Sequence, residues 1–164
     1  HCENISDVSA LGNCYNLKII CCNKISNVSA LGNCKNLILK CCDNISDVSA
    51  LGSCYNLTLD YCKNIKDVSA LSSCYNLTLI SLTISDVSAL SNCKNLTLKW
   101  CNYILDLSNF HFCNNLTLIE LNISDVSALA NCKNLTLEGC NNISNVSALN
   151  SVPNLIIKEK KKWY

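Results

Sequence analysis

The sequence predicts an α/β solenoid: a right-handed stack of short coils with parallel strands on a concave face and 3₁₀ or short helical turns on the convex one. Three observations carry that prediction. One unit recurs about eight times with almost no drift, one side of it has the period of a strand, and the other side has the period of a 3₁₀ turn. A unit of 20 residues cannot bury an apolar face alone, so it has to stack on its neighbours.

The repeat is anchored by Ile5, Ile25, Ile45, Ile65, Ile84, Ile104, Ile123 and Ile143, spaced by 20, 20, 20, 19, 20, 19 and 20 residues. Three residues after each anchor stands Val, or Leu107 in the sixth unit, and three further on stands Leu, or Phe110. A cysteine row follows (Cys14, Cys34, Cys54, Cys74, Cys93, Cys113 and Cys132), closed by Val152. Then come two apolar positions two residues apart, from Leu17 and Ile19 to Leu155 and Ile157. The spacing of two is that of a strand, so Asn-Leu-x-Leu reads as a short strand. Steps of three suit a tight turn or a 3₁₀ segment. Asp or Ser ahead of Val-Ser-Ala-Leu is placed to cap that turn.

The 19-residue units test this layout. Leu82 and Leu121 keep the distance from the strand at which other units have Cys, but each stands one residue closer to the next anchor. The missing residue therefore belongs to the corner after the cysteine slot. An inward apolar slot tolerates the exchange of Cys for Leu; a metal ligand does not.

The sixth unit departs most. Phe110 takes the core Leu slot, and Leu105 and Phe112 replace polar residues, which places an apolar patch on the convex side. Residues 1–157 read as the array. Residues 158–164 break the pattern and read as a polar C-terminal tail of the kind that closes a solenoid. The chain opens at His1-Cys2, part-way through a unit, and contains no Met, so it reads as a segment of a longer array. At about 4.8 Å per rung, eight coils span roughly 35–40 Å.

The bulk numbers narrow the function classes. The net charge is +1, and all 13 basic residues are Lys. A dedicated nucleic-acid surface would show a basic excess, and bidentate reading by Arg is absent. No apolar run of about 18 residues occurs, so no membrane-spanning helix is expected.

With the rows laid out, the chain resembles a leucine-rich repeat protein. The pattern Cys-x-x-Leu-x-Leu-x-x-Cys-x-x-Ile-x-Asp, as in Cys54 to Asp67, is similar to the cysteine-containing leucine-rich repeats of F-box substrate receptors. Asn-Leu-Thr and Ile-Ser-Asp-Val-Ser-Ala-Leu resemble the internalin-type repeats of bacterial surface proteins. Arrays similar to Asp7–Cys14 occur in proteins of giant DNA viruses. The resemblance implies a curved array that binds partners on its concave strand face.

Of the 15 cysteines, seven lie in the row before the strand and six in the slot after it (Cys2, Cys22, Cys42, Cys62, Cys101, Cys140). These thirteen read as small buried apolar side chains. Two other readings compete. Neighbouring rungs lie within disulfide reach in an oxidising compartment, and thiols bind zinc, although no Cys-x-x-Cys pair occurs. So many unpaired cysteines point to a cytoplasmic protein, in a host cell if the source is viral, rather than a secreted one. Cys21 and Cys41 are extra to both rows and read as exposed, adjacent, reactive thiols.

The Asn-x-Thr sequons, such as Asn56-Leu57-Thr58, fall on strands stacked about 5 Å apart, where glycans would collide. They read as by-products of the repeat, with Asn bonding to its neighbours. The row Asp7, Asp47, Asp67, Asp86, Asp106 and Asp125, with Asn27 and Asn145, reads as turn caps rather than a calcium site. No catalytic constellation is recognisable: the two histidines are His1 and His111, and the four glycines belong to the repeat. No cofactor and no metal are expected.

Two outward rows vary while the core rows stay fixed. They contain Asp60, Tyr61, Ile80, Lys99, Trp100, Ile119 and Glu120, the expected partner-binding residues of the concave face. Tyr61 and Trp100 are the anchors, because aromatics dominate interface hot spots; Ile80 and Ile119 add apolar area; Asp60, Lys99 and Glu120 set specificity. The expected function is a monomeric, non-catalytic scaffold that binds a protein partner, without nucleic acid or membrane. The alternatives are the substrate-recognition arm of an F-box ubiquitin-ligase receptor and an extracellular adhesion module.

Overall fold

A computed structural model describes residues 4–159. His1, Cys2 and most of the expected tail, residues 160–164, lie outside the described residues.

Eight five-residue strands, β1 (Asn16–Ile20), β2 (Asn36–Lys40), β3 (Asn56–Asp60), β4 (Asn76–Ile80), β5 (Asn95–Lys99), β6 (Asn115–Ile119), β7 (Asn134–Glu138) and β8 (Asn154–Lys158), form one parallel sheet in sequence order. Pairing is in register throughout, with Asn opposite Asn and Leu opposite Leu (Ile19 at the first rung and Ile157 at the last). Alternation sends the two Leu of each strand into the core, while Asn, Thr and the fifth residue face outward. On the far side, 3₁₀ turns form in every coil except the sixth. Each is made by two consecutive bonds, as where the Leu51 N–H donates to the Val48 carbonyl at 2.9 Å and the Cys54 N–H donates to Leu51 at 3.0 Å. The chain has the architecture of a leucine-rich-repeat solenoid.

The core is one continuous column. Ile, Val and Leu from the turns meet the strand leucines and both cysteine rows, and the interior coils are almost completely dry. Free Cys behaves there as a small hydrophobe. It also does something the exchange with Leu conceals. Cys54 Sγ donates to the Leu31 carbonyl of the preceding coil at 3.6 Å, and Cys74 Sγ donates to that of Leu51 at 3.5 Å. The second row repeats this, with Cys62 Sγ donating to Leu39 O at 3.7 Å. Each thiol so placed fills a slot and weakly ties one coil to the last.

The short units lose their residue where expected. In the longer units a turn follows the cysteine slot, as where the Ile65 N–H donates to Cys62 O at 3.3 Å. At Leu82-Thr83-Ile84 the turn is gone, and Leu82 fills the slot at 1% exposure. The larger Leu stands where the corner is shorter. In the sixth coil Phe110 is fully buried in the Leu position, while Leu105 and Phe112 are 68% and 80% exposed.

Two further side-chain rows support the array, one bonding between coils and one within each coil. Asn36 Nδ2 donates to Asn16 Oδ1, and the same side-chain bond passes from coil to coil to Asn134. The sequon asparagines of β3 to β7 are thus committed to this chain of amides. On the turn side, each Asp or Asn before the valine accepts from the backbone N–H of the serine two residues on, as Asp67 Oδ1 does from Ser69 at 2.9 Å. This is an Asx turn leading into the 3₁₀ segment. It performs the expected capping with Val, not Asp, at the cap position itself.

Those bonds generate a pH prediction. The Ser69 N–H holds the Asp67 carboxyl below its usual value, and equivalent serines act on Asp7, Asp47, Asp86, Asp106 and Asp125. A carboxyl that is more acidic in the folded chain contributes stability that is complete above the unfolded value. That contribution is lost as the pH falls through the folded one. The triple variant Asp47→Asn/Asp67→Asn/Asp86→Asn should keep its thermal midpoint at pH 7, since Asn27 and Asn145 make the same turn. It should also lose less stability than the wild-type chain between pH 5 and pH 2. Asp67→Ala should melt earlier at pH 7.

Candidate functional site

The strand face is bounded by two corners. The fifth strand residue and the residue after it both point outward, although alternation would send the second of them inward. The backbone achieves this with a left-handed residue in seven successive coils: Cys21, Cys41, Tyr61, Ser81, Trp100 and Glu120, with φ between 50° and 56°, and Gly139 at 64°. Each of these residues still donates its N–H to the next strand, as Trp100 does to Ile119 O at 3.0 Å. A left-handed conformation disfavours any residue with a Cβ, by about 1–2 kcal/mol each. Tyr61 and Trp100 therefore stand at strained corners just beyond their strands.

The expected residues fall into two adjoining columns. Asp60 pairs with Ile80, Ile80 with Lys99 and Lys99 with Ile119, one rung apart. Tyr61, Trp100 and Glu120 occupy the corner column beside them. The structure thus brings all seven together on coils three to six. Their exposure differs from expectation: Tyr61 and Trp100 are 46% and 41% exposed, but Ile80 and Ile119 are only half-buried members of the row. A rung on each side at about 4.8 Å screens them.

Charge is already organised there. Lys40 Nζ lies 2.6 Å from Asp60 Oδ2, and this pairing raises the Lys40 ammonium above its usual value. Lys99 Nζ stands 4.1 Å from the centre of the Trp100 ring, and Lys63 Nζ stands 4.7 Å from that of Tyr61. Each of the two rings therefore carries a cation on its face. Lys40 and Lys63 stand against the expected residues Asp60 and Tyr61, although they were not among the expected seven.

A second aromatic rim lies at the other end of the strands, about 20 Å away at the rise of a strand. Tyr55 and Tyr75 stack with centroids 4.6 Å apart and planes 8° from parallel, and Lys35 Nζ sits 5.2 Å from the Tyr15 ring and 5.3 Å from the Tyr55 ring. The signal was legible as the residue before each strand Asn: Tyr15, Lys35, Tyr55, Tyr75 and Lys94. Its meaning depends on the stacking of rungs, which turns a column of single residues into a continuous surface.

The thiols divide by environment. Burial pushes Cys54, Cys62 and Cys93 up to about 11 and Cys74 to about 12, which makes them unreactive at neutral pH. Cys21 and Cys41 are half-buried, on the strand face. Among the described residues no three His, Cys, Asp or Glu side chains converge, and no helix is long and apolar enough to cross a membrane.

No protein-family model matches the chain, and no curated protein matches it. Among solved structures it is similar to an internalin, InlF, of Listeria monocytogenes, with 25% identity and a TM-score of 0.61 over 94% of this chain and 52% of that one. It is also similar to internalin C2 of the same species, with 27% identity and a TM-score of 0.47 over 93% and 66%. A functional domain of InlJ, also from that species, aligns at 16% identity with a TM-score of 0.35 over 88% and 49%. The chain spans about half the length of the first of these structures.

Strain at the corner column can be read directly. Ser81→Gly should raise the urea-unfolding free energy and Gly139→Ala should lower it, each by about 1 kcal/mol. Changes of the same sign at these equivalent positions would show that the left-handed corner is not strained.

Proposed function

We propose that this internalin-like leucine-rich-repeat solenoid is a non-catalytic scaffold that binds a protein partner across its strand face, centred on coils three to six. The observation that carries the reading is the corner column. Its left-handed backbone is kept in seven coils while its side chains change from Cys to Tyr, Ser, Trp, Glu and Gly. A column that served folding alone would favour Gly throughout. Tyr61 and Trp100 act as anchors, Ile80 and Ile119 supply apolar area, and Asp60, Lys99 and Glu120 set specificity. The cations over the two anchor rings favour a partner that presents carboxylates beside an apolar patch.

The likeness to internalin InlF supports an extracellular adhesion role as a second reading beside the cytoplasmic one. The row cysteines serve as buried apolar side chains of the core, a use of many thiols that favours a reducing compartment. Alkylating the protein as isolated from its source, before and after denaturation, separates the two: core-row thiols blocked or bridged at isolation support the extracellular role.

The binding test compares partner capture from lysate by the wild-type chain, by Tyr61→Ala/Trp100→Ala and by Tyr55→Ala/Tyr75→Ala, all with unchanged circular dichroism. A partner held by the wild-type chain should bind the first variant at least tenfold more weakly, as expected when hot-spot aromatics are truncated. Equal binding by that variant rejects the site. Loss only in the second variant moves the contact to the opposite rim.

A further inference from the structure

Cys21 and Cys41 stand apart from the other described cysteines, which occupy the two inward rows. Both lie in the left-handed corner column, at φ 55° and 52°, and both are half-buried. Ile20 pairs in register with Lys40, and the Cys21 N–H donates to the Lys40 carbonyl at 2.9 Å, so the two corners stack one rung apart. Parallel rungs lie about 4.8 Å apart, inside the range of Cα separations that disulfides span. The Cys21 thiol stands near enough to act on the Cys41 thiol across the rung. The next corner is Tyr61, so the column holds two thiols and no third.

We propose that Cys21 and Cys41 form a thiol-reactive pair that closes to an inter-coil disulfide on meeting a small disulfide such as oxidised glutathione. One cysteine, as thiolate, attacks a sulfur of oxidised glutathione. An S–S bond forms to the protein, the glutathione S–S bond breaks, and one glutathione thiolate leaves. The second cysteine, once deprotonated, attacks the protein sulfur of this mixed disulfide and expels the other glutathione. Two protein thiols are oxidised, one small disulfide is reduced to two thiols, and the two cysteine protons end on the departing glutathiones.

Selectivity comes from the fold. Core thiols such as Cys22, Cys34 and Cys42 are dry, so a small disulfide cannot reach them. Burial, and then the neighbouring thiol, push the Cys41 thiol above its ordinary value, so closure speeds up as the pH rises. The bridge also lands where it has a structural effect. Leu11, Cys14 and Leu17 of the first coil are only partly buried, whereas Leu31, Cys34 and Leu37 of the second are fully buried. Closing the pair fastens the looser coil to the tighter one. The inference does not depend on any partner.

The test incubates the full chain with oxidised glutathione at pH 8, alkylates it under native conditions, then denatures it, alkylates with a second reagent and measures the mass. The expected result is loss of two hydrogens, with a cross-link joining the peptide that holds Cys21 to the one that holds Cys41. Cys21→Ser and Cys41→Ser should each lose the cross-link and gain one glutathione instead. Cys14→Ser and Cys140→Ser, half-buried elsewhere, should close as the wild-type chain does. Hydrogen exchange in residues 8–20 should slow on closure. A wild-type chain that accumulates glutathione adducts without a cross-link, stays unmodified, or links other cysteines overturns the proposal.

Discussion

Everything in this molecule depends on one constraint: each coil must sit one strand spacing from the last, in register, along the whole array. A single coil has five strand residues and one tight turn, too little to exclude water from its own leucines. Stacking supplies what the coil lacks. The backbone ladder, the Asn side-chain bonds and the thiol-to-carbonyl contacts of the first cysteine row all run between coils rather than within them. A residue that pushed one rung away from the next would weaken all three together. Gly52 illustrates the tightness, since a Cβ there would overlap the Ala70 carbonyl of the following coil.

Register explains why so simple a repeat tolerates two lengths. The 19-residue units drop a residue from a corner that carries one turn bond, and the strand and the 3₁₀ segment on either side keep their phase. The slot beside that corner changes from Cys to Leu as the loop shortens. The sixth coil gives up its 3₁₀ segment and admits Phe110 to the core, yet β6 still pairs in register with both neighbours. The sheet is the conserved quantity within this chain, and the convex side absorbs the variation.

The same stacking converts single residues into surfaces. Tyr55 alone is an exposed ring; above Tyr75 it becomes part of a stacked, cation-flanked rim. Cys21 alone is an ordinary half-buried thiol; one rung from Cys41 it has a partner. Lys99 beside Trp100 and Lys63 beside Tyr61 place a cation against each aromatic ring on the opposite rim. Chemistry on this protein is read along columns, so a substitution in one coil is felt by the coils on either side.

Periodicity alone determined the solenoid, the strands at Asn-Leu-x-Leu, the turn period on the far side, the corner that shortens and the inward place of both cysteine rows. Those features follow from the chain's own spacing of apolar residues, which is local information repeated eight times. The tertiary structure decided what lies between coils. It committed the sequon asparagines to one another, gave the core thiols a carbonyl partner, and half-buried Ile80 and Ile119 among adjacent rungs. It also set Tyr61 and Trp100 in left-handed corners, where Gly139 was the lone compositional trace. The physical reason is that these properties belong to the contact between two coils about 4.8 Å apart, and a single coil read along the chain does not contain that contact.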